Sequence, residues 1–283
     1  MIPMRTTLPR LALVCSLLAS TATQADQGVD FSATFTDFTG WSTFGSASTE
    51  TFAPGNGFIY SLLTLTQTGT GDQAGSGFAQ EALALDFNQS FRFAFNWYIP
   101  VYDNIGLRGD GLTFVLATAP GLGGRGSDLG YGGLSGPSVA FAIDTFNFDD
   151  EAQSPSVQIL SNGSTTPLAV TETGLGDDIR DPNFQWFAEF VYTPSGDSNN
   201  TGTLLGTIWH INLGSFSVET AVDFAALDMA GAPIYYGFTA GNGAAIDGHI
   251  ITSAVPIPEP GTWALMLAGM AVLGFRARNL ARC

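Results

Sequence analysis

Three stretches, far apart in the chain, hold the groups with which this sequence could do chemistry. Gly109-Asp110-Gly111 places a carboxylate directly before the apolar run 112–116. Residues 127–132, Ser-Asp-Leu-Gly-Tyr-Gly, close a glycine-rich segment that begins at Gly121. Residues 139–147 run apolar into Asp144-Thr145-Phe146-Asn147, and Asp149, Asp150 and Glu151 follow. Carboxylates, amide oxygens and backbone carbonyls are the hard oxygen donors that suit Ca²⁺. Taken alone, Gly-Asp-Gly is ordinary turn chemistry. Asp110 therefore reads either as a turn carboxylate or as the acceptor of a binding site.

Other chemistries lack their parts. Gly121-x-Gly123-x-x-Gly126 matches the dinucleotide fingerprint letter for letter, but no helix follows to hold a pyrophosphate. No Gly-x-Ser-x-Gly elbow exists. The two histidines, His210 and His249, are not spaced as a metal pair and read as structural. The run Asp149-Asp150-Glu151 invites a glycosidase reading, yet no Glu-x-Asp-x-Glu arrangement lies on a strand. The cysteines, Cys15 and Cys283, both lie in terminal segments, which leaves the centre of the chain without thiol, disulfide or Cys-based metal site.

The elements that must position these groups read as β. The chain has 283 residues with 35 Gly and 22 Phe, and only 12% are charged, which suits short strands joined by tight turns. Large aromatics stand at every second position of Phe91-Arg92-Phe93-Ala94-Phe95-Asn96-Trp97, the period of a strand. Further strands are expected at 112–116, 139–143, 186–192, 204–213 and 234–238, separated by Gly, Asn, Asp and Pro clusters. Residues 121–136 read as a long loop. Many short strands with turn signals point to a sandwich or jelly roll.

Charge narrows the partners. The formal net charge is −16, there is no Lys, and 26–253 holds only Arg92, Arg108, Arg125 and Arg180 among its cations. Such a surface repels phosphate backbones and anionic membranes, which argues against nucleic acid. It favours solubility or a cation such as Ca²⁺.

Both ends read as processing segments. Residues 1–25 carry Arg5 and Arg10, an apolar run at 11–18 and a small-residue cleavage site at Thr23-Gln24-Ala25, the order of a secretory signal peptide. Residues 255–283 carry Pro256-Ile257-Pro258-Glu259-Pro260, an apolar run at 263–275, and Arg276, Arg278 and Arg282. That run is about 20 Å long as a helix, short of the roughly 30 Å hydrocarbon core. Pro-Glu-Pro, short apolar segment and Arg cluster, in that order, resemble the PEP-CTERM sorting signal of Gram-negative bacteria. The resemblance implies an exosortase-type membrane protease, removal of the tail, and delivery to the cell surface or exopolysaccharide. A plain C-terminal anchor is the alternative. Between them, 26–254 is expected to be one β-sandwich domain.

In order and spacing, the three chemical stretches resemble the signature of the L-type (legume-type, concanavalin A-like) lectin domain. Gly75-Ser76-Gly77-Phe78 is similar to the turn before that family's front-sheet strand, and 234–240 with 249–253 to its last strands. The resemblance implies an all-β, concanavalin A-like jelly-roll β-sandwich and a carbohydrate-binding protein that is not an enzyme. It implies a sugar site in which Asp110 accepts from hydroxyls, Gly126 or Ser127 donates a backbone N–H, and Asn147 contributes its amide. It also implies Ca²⁺ held by Asp144, the Phe146 carbonyl, Asn147 and a further Asp, Asp149, with Asp150 or Glu151 as substitutes. The sequence departs from that pattern in places. Phe148 stands where the family has its Asn, and Ser154-Pro155 where an Asp often precedes Pro. Ala142 stands at the Glu of the neighbouring transition-metal site and no His lies in 149–159, so no Mn²⁺-type site is expected. A structural or adhesive matrix protein with a degenerate sugar site is the alternative reading, and a glycan hydrolase a more distant one.

Overall fold

The computed structural model describes residues 28–55, 57–100, 109–148, 151–180 and 185–256. The expected signal peptide, the tail after Pro256 and Asp149 lie outside the described residues. The strands are β1 Val29–Asp30, β2 Ser42–Gly45, β3 Ser48–Phe52, β4 Phe58–Thr66, β5 Ala74–Phe78, β6 Phe91–Tyr98, β7 Gly111–Ala117 and β8 Ser138–Asp144. There follow β9 Ser156–Ser161, β10 Ser164–Glu172, β11 Trp186–Pro194, β12 Thr201–His210, β13 Gly214–Asp223, β14 Tyr235–Gly241 and β15 His249–Pro256. Three short 3₁₀ turns complete the regular structure, and no α-helix occurs among the described residues.

The strands form two sheets packed face to face. One runs β10-β9-β8-β7-β14-β5-β2; the other runs β13-β12-β11-β6-β15-β4-β3, with β1 added beside β6. Every pairing is antiparallel except the two-residue β1 with β6. This is the all-β jelly-roll sandwich that the sequence pattern points to.

The alternation of β6 explains the packing. Phe91, Phe93, Phe95 and Trp97 are buried, while Arg92, Ala94, Asn96 and Tyr98 face outward. Phe93 meets Phe114 of β7 at 5.0 Å and Phe95 meets Phe238 of β14 edge-on at 4.8 Å, so rings from both sheets interlock. Trp97 stacks on Trp186 of β11 at 5.6 Å. Each such buried ring contributes on the order of 1.5–3 kcal/mol of transfer free energy. The central strands β7 and β8 are buried at every residue, because one face packs on the other sheet and the other is covered by the glycine-rich loop.

Two expectations are corrected. Residues 75–78 are not a turn but most of β5, hydrogen-bonded between β14 and β2. Glycine is needed there because a Cβ at Gly75 would collide with the Leu65 carbonyl of the opposite sheet. The single strand expected over 204–213 ends at His210. The Asn212 N–H turns back to His210 Nδ1 (3.3 Å) and Gly214, at φ +92°, starts the hairpin return as β13.

Candidate functional site

Three neighbouring strands deliver the chemical groups to one end of the seven-stranded sheet. Gly241, at the end of β14, pairs with Gly111, at the start of β7, and Gly111 pairs with Asp144, at the end of β8. Asp110 enters just before Gly111. Its backbone carbonyl accepts from the Thr145 N–H at 2.9 Å, and the Thr145 hydroxyl donates to the Gly109 carbonyl. Gly111 is held at φ +142°, and a Cβ there would strike the Ile143 carbonyl. Glycine after Asp110 is thus a requirement of close strand approach.

The Asp110 carboxylate is aimed by a backbone donor that the sequence pattern did not reveal. The Gly243 N–H donates to Oδ2 at 2.6 Å. Gly243 is itself fixed, because its carbonyl accepts from the Asp72 N–H at 2.7 Å. Beside it, the Asn242 amide bridges the Thr70 carbonyl (2.9 Å), the Asp247 carbonyl (3.1 Å) and the Gln73 N–H (2.8 Å). Gly126 stands against Oδ1, where a Cβ built on it would lie 3.9 Å away. Asp110 is only 3% exposed, deeper than a turn carboxylate at a solvated loop edge would lie. Burial pushes its carboxyl up to about 6; the Gly243 N–H opposes that shift and the nearby Glu151 charge adds to it.

The glycine loop is a stitched knot. Gly123 N–H donates to Gly130 O, Gly124 N–H to Gly132 O, and Gly130 N–H to Gly124 O, at 2.7, 2.8 and 2.8 Å. Leu129, at φ +55°, closes the turn 126–128 by donating to the Gly126 carbonyl, and its own carbonyl accepts from the Thr239 hydroxyl of β14 at 2.8 Å. Gly126 and Ser127 are therefore brought to the Asp110 end of the sheet on a rigid support. Tyr131 is fully buried, with its hydroxyl 3.0 Å from Ser138 Oγ, and serves the core.

Asp144 is 7% exposed. Its Oδ1 accepts from the Phe146 N–H at 3.0 Å, and its Oδ2 from the Gln158 amide at 2.9 Å. Burial pushes this carboxyl up to about 7; Phe146 and Gln158 oppose the shift, while Glu151 and Asp110 add to it. Asn147 is not turned toward the carboxylates. Its Oδ1 accepts from Ser154 N and Oγ at 3.4 and 3.1 Å and pins the loop. Phe148 is 53% exposed and meets Phe146 edge-on at 5.1 Å, in the segment just after β8. A depression of about 280 Å³ opens here, lined by Ser127, Asp144, Glu151, Gln158 and the β9–β10 hairpin at Thr165 and Thr166; Asp110 does not line it. Gln158 lies opposite Ala142 in the β8–β9 register. Gly243 and Gln158 are the site residues that sequence reasoning missed; Glu151, expected as a substitute ligand, lines the depression. The Gly241-Asn242-Gly243 turn straight after a central strand was the available signal for the first.

The donor set is mixed as a metal centre. Asp110 and Asp144 are buried carboxylates that also feel the charge of the exposed Glu151, a condition a hard cation relieves. Among the described residues, however, no group of three His, Cys, Asp or Glu side chains is close enough to hold a metal.

Solved structures share this architecture. A lectin from Bauhinia forficata in complex with GalNAc superposes with a TM-score of 0.55 at 18% identity, over 77% of this chain and 99% of that one. The metal-free lectin I-B4 of Griffonia simplicifolia gives 0.61 at 18% identity, over 78% and 95%. Arcelin-5, a lectin-like defence protein of Phaseolus vulgaris, gives 0.53 at 17% identity, over 76% and 99%.

The fold is that of the legume lectins.

Residues 256–282 match the PEP-CTERM protein-sorting motif. That motif marks the chain for export and for the cell surface or extracellular space. The legume-lectin sandwich is thus an exported domain, and Asp110, the 126–129 turn and the end of β8 lie together at one end of its seven-stranded sheet.

Proposed function

We propose that the exported domain binds glycans without catalysis, at the end of the seven-stranded sheet that carries Asp110, Gly126 and Ser127, with Phe146 and Phe148 following β8 at the same end. The observation that carries this reading is the fixed Asp110 carboxylate, with Oδ2 held by Gly243 N–H and Gly126 at Oδ1. A pyranose offers hydroxyls that both donate and accept, plus one apolar face. A preset carboxylate, loop N–H donors and the exposed Phe148 ring answer those features. The GalNAc-bound neighbour of the same fold supports this class of ligand.

Ca²⁺ belongs to the proposal. Asp144, the Phe146 carbonyl and Glu151 would hold it, with Asp149 as a further carboxylate; Asn147 would have to leave Ser154 to join them. The cation would neutralise the carboxylates and stiffen the loop after β8. A Mn²⁺-type site is not proposed, because Ala142 puts a methyl at the position of that site's carboxylate and its cross-strand partner Gln158 offers an amide. A glycan array read with Ca²⁺ and with chelator, alongside thermal unfolding, tests both parts. Glycan-specific binding is the expected result. Ca²⁺ at a hundred times its dissociation constant should add about 2.7 kcal/mol of stability. Equal midpoints would remove calcium, and a blank array would remove the lectin reading.

A second reading, a matrix protein on a lectin scaffold, is favoured by the Asn147–Ser154 pairing and by the Gln158 amide on Asp144. A blank array would leave it standing. Either way, 1–25 and the tail should be processed by signal peptidase and an exosortase-type protease. Mass spectrometry of the surface protein should give a chain that starts near Asp26 and ends near Pro258-Glu259-Pro260. Secreted material that still carries Arg282 would contradict this.

A further inference from the structure

The outer face of the eight-stranded sheet bears a second feature that the Asp110 site does not use. Asn96 of β6, Phe187 of β11 and Trp209 of β12 stand in one cross-strand row, by the pairings Phe187 with Asn96 and Phe187 with Trp209. Phe187 and Trp209 are 47% and 43% exposed, and their rings meet at 5.2 Å and 48°. The next row is Ala94, Glu189 and Thr207, and the methyl of Ala94 leaves a groove between the rings and the Arg92–Glu189 ion pair. That pair is 3.1 Å long and its side chains are 47% and 40% exposed. The groove holds about 350 Å³, within the range of small-molecule sites. The Asn96 amide makes no side-chain hydrogen bond among the described residues.

We propose that this groove is a second glycan-binding surface, specific for uncharged polysaccharide chains and independent of Asp110. Two bare rings offer stacking to the C–H face of a sugar. The unengaged amide and the exposed ion pair offer donors and acceptors for its hydroxyls. The alternative occupants are disfavoured by charge. A formal net charge of −16 repels an anionic polymer, a membrane surface and a second copy of the chain alike, whereas a neutral glycan meets no such field. With the Asp110 end belonging to the opposite sheet, each molecule would engage a polymer at two places. Weak contacts then gain by effective concentration, and chains can be bridged.

Native electrophoresis in gels containing hydroxyethylcellulose, galactomannan or xyloglucan tests this with the full domain, whose acidity drives it toward the anode. Asp110→Asn should remain retarded by at least one of these polymers. Adding Phe187→Ala and Trp209→Ala to it should remove the retardation, with the unfolding midpoint little changed because both rings are exposed. Trp209→Tyr should restore most of it, and the polymer should shift the tryptophan emission of the parent protein but not of Trp209→Ala. The proposal is overturned if no form is retarded, if Asp110→Asn alone abolishes retardation, or if the triple variant migrates as Asp110→Asn does. It is also overturned if sedimentation shows a dimer that Trp209→Ala converts to monomer, which would assign the face to a second copy. If Asp110→Asn leaves all binding intact and the aromatic variants remove all of it, this inference stands and the Asp110 reading falls.

Discussion

Asp110→Asn is expected to remove small-saccharide binding while the domain stays folded. In the native site Oδ2 is committed to the Gly243 N–H at 2.6 Å, which leaves Oδ1, beside Gly126, for the ligand. An amide keeps its oxygen on Gly243 and turns its NH₂ to the ligand side, where a sugar hydroxyl needs an acceptor. Loss of a hydrogen bond to a charged group costs about 1.5–3 kcal/mol. That is roughly a tenfold to hundredfold loss of affinity, enough to take a shallow, single site below detection. Stability should hold, because the amide relieves a buried carboxylate whose pKa burial and Glu151 have already pushed up to about 6. Asp110→Ala behaves differently: it strands the Gly243 N–H and should lower both binding and stability. Isothermal titration with the monosaccharide that scores best on the array, beside urea unfolding, gives the answer. Undiminished affinity in the Asn variant would take Asp110 out of the site, and global unfolding would make it a turn residue.

The reach of the sequence differs between frame and site for physical reasons. Strand β6 was legible because its aromatics alternate with period two, and the burial of Phe91, Phe93, Phe95 and Trp97 follows that period. Strands β7 and β8 were legible as continuous apolar runs, since both of their faces are covered. By contrast β5, with glycines at 75 and 77, has little side-chain pattern; it is a strand because the chain must pass close to β4 and β14. At the site, Asp110 and Asp144 came from local motifs. Gly243 acts through its N–H and carries no side-chain signal at all. The turn of Asn147 toward Ser154 depends on a loop contact seven residues away, which spacing alone does not predict. His249 was rightly read as structural: it is fully buried, Nδ1 meets Thr66 Oγ1 at 2.7 Å, and burial with the Arg180 charge pushes its imidazole down to about 3. Both effects favour the neutral imidazole.

Arg180→Met is expected to cost more stability than any surface change in the molecule. Arg180 ends the 3₁₀ turn Gly176–Arg180, with a side chain 5% exposed, and its Nη2 donates to Asp247 Oδ1 at 2.8 Å. Asp247 is 2% exposed at its side chain, and its Oδ2 accepts from the Gly109 N–H at 2.8 Å. The pair therefore clamps the residue next to Asp110 to the loop before β15. Burial raises the Asp247 pKa, and the Gly109 N–H and Arg180 pull against it, so removing the guanidinium leaves a desolvated carboxylate with one donor. Breaking a buried pair from one side costs about 3–5 kcal/mol. For a domain of this size that is a fall in midpoint on the order of 6–20 °C. Adding Asp247→Asn should recover much of the loss, because a neutral amide oxygen still accepts from Gly109 and no charge stays buried. Urea unfolding of the parent, the single and the double variant measures it. A single-variant loss under about 1 kcal/mol would mean that water reaches Asp247 and that the clamp carries little load. Saccharide affinity adds a second reading. If the double variant regains stability and affinity together, Gly109 needs only a hydrogen-bond acceptor to set Asp110. If stability returns without affinity, the charge of Arg180 is itself part of how the Asp110 loop is held.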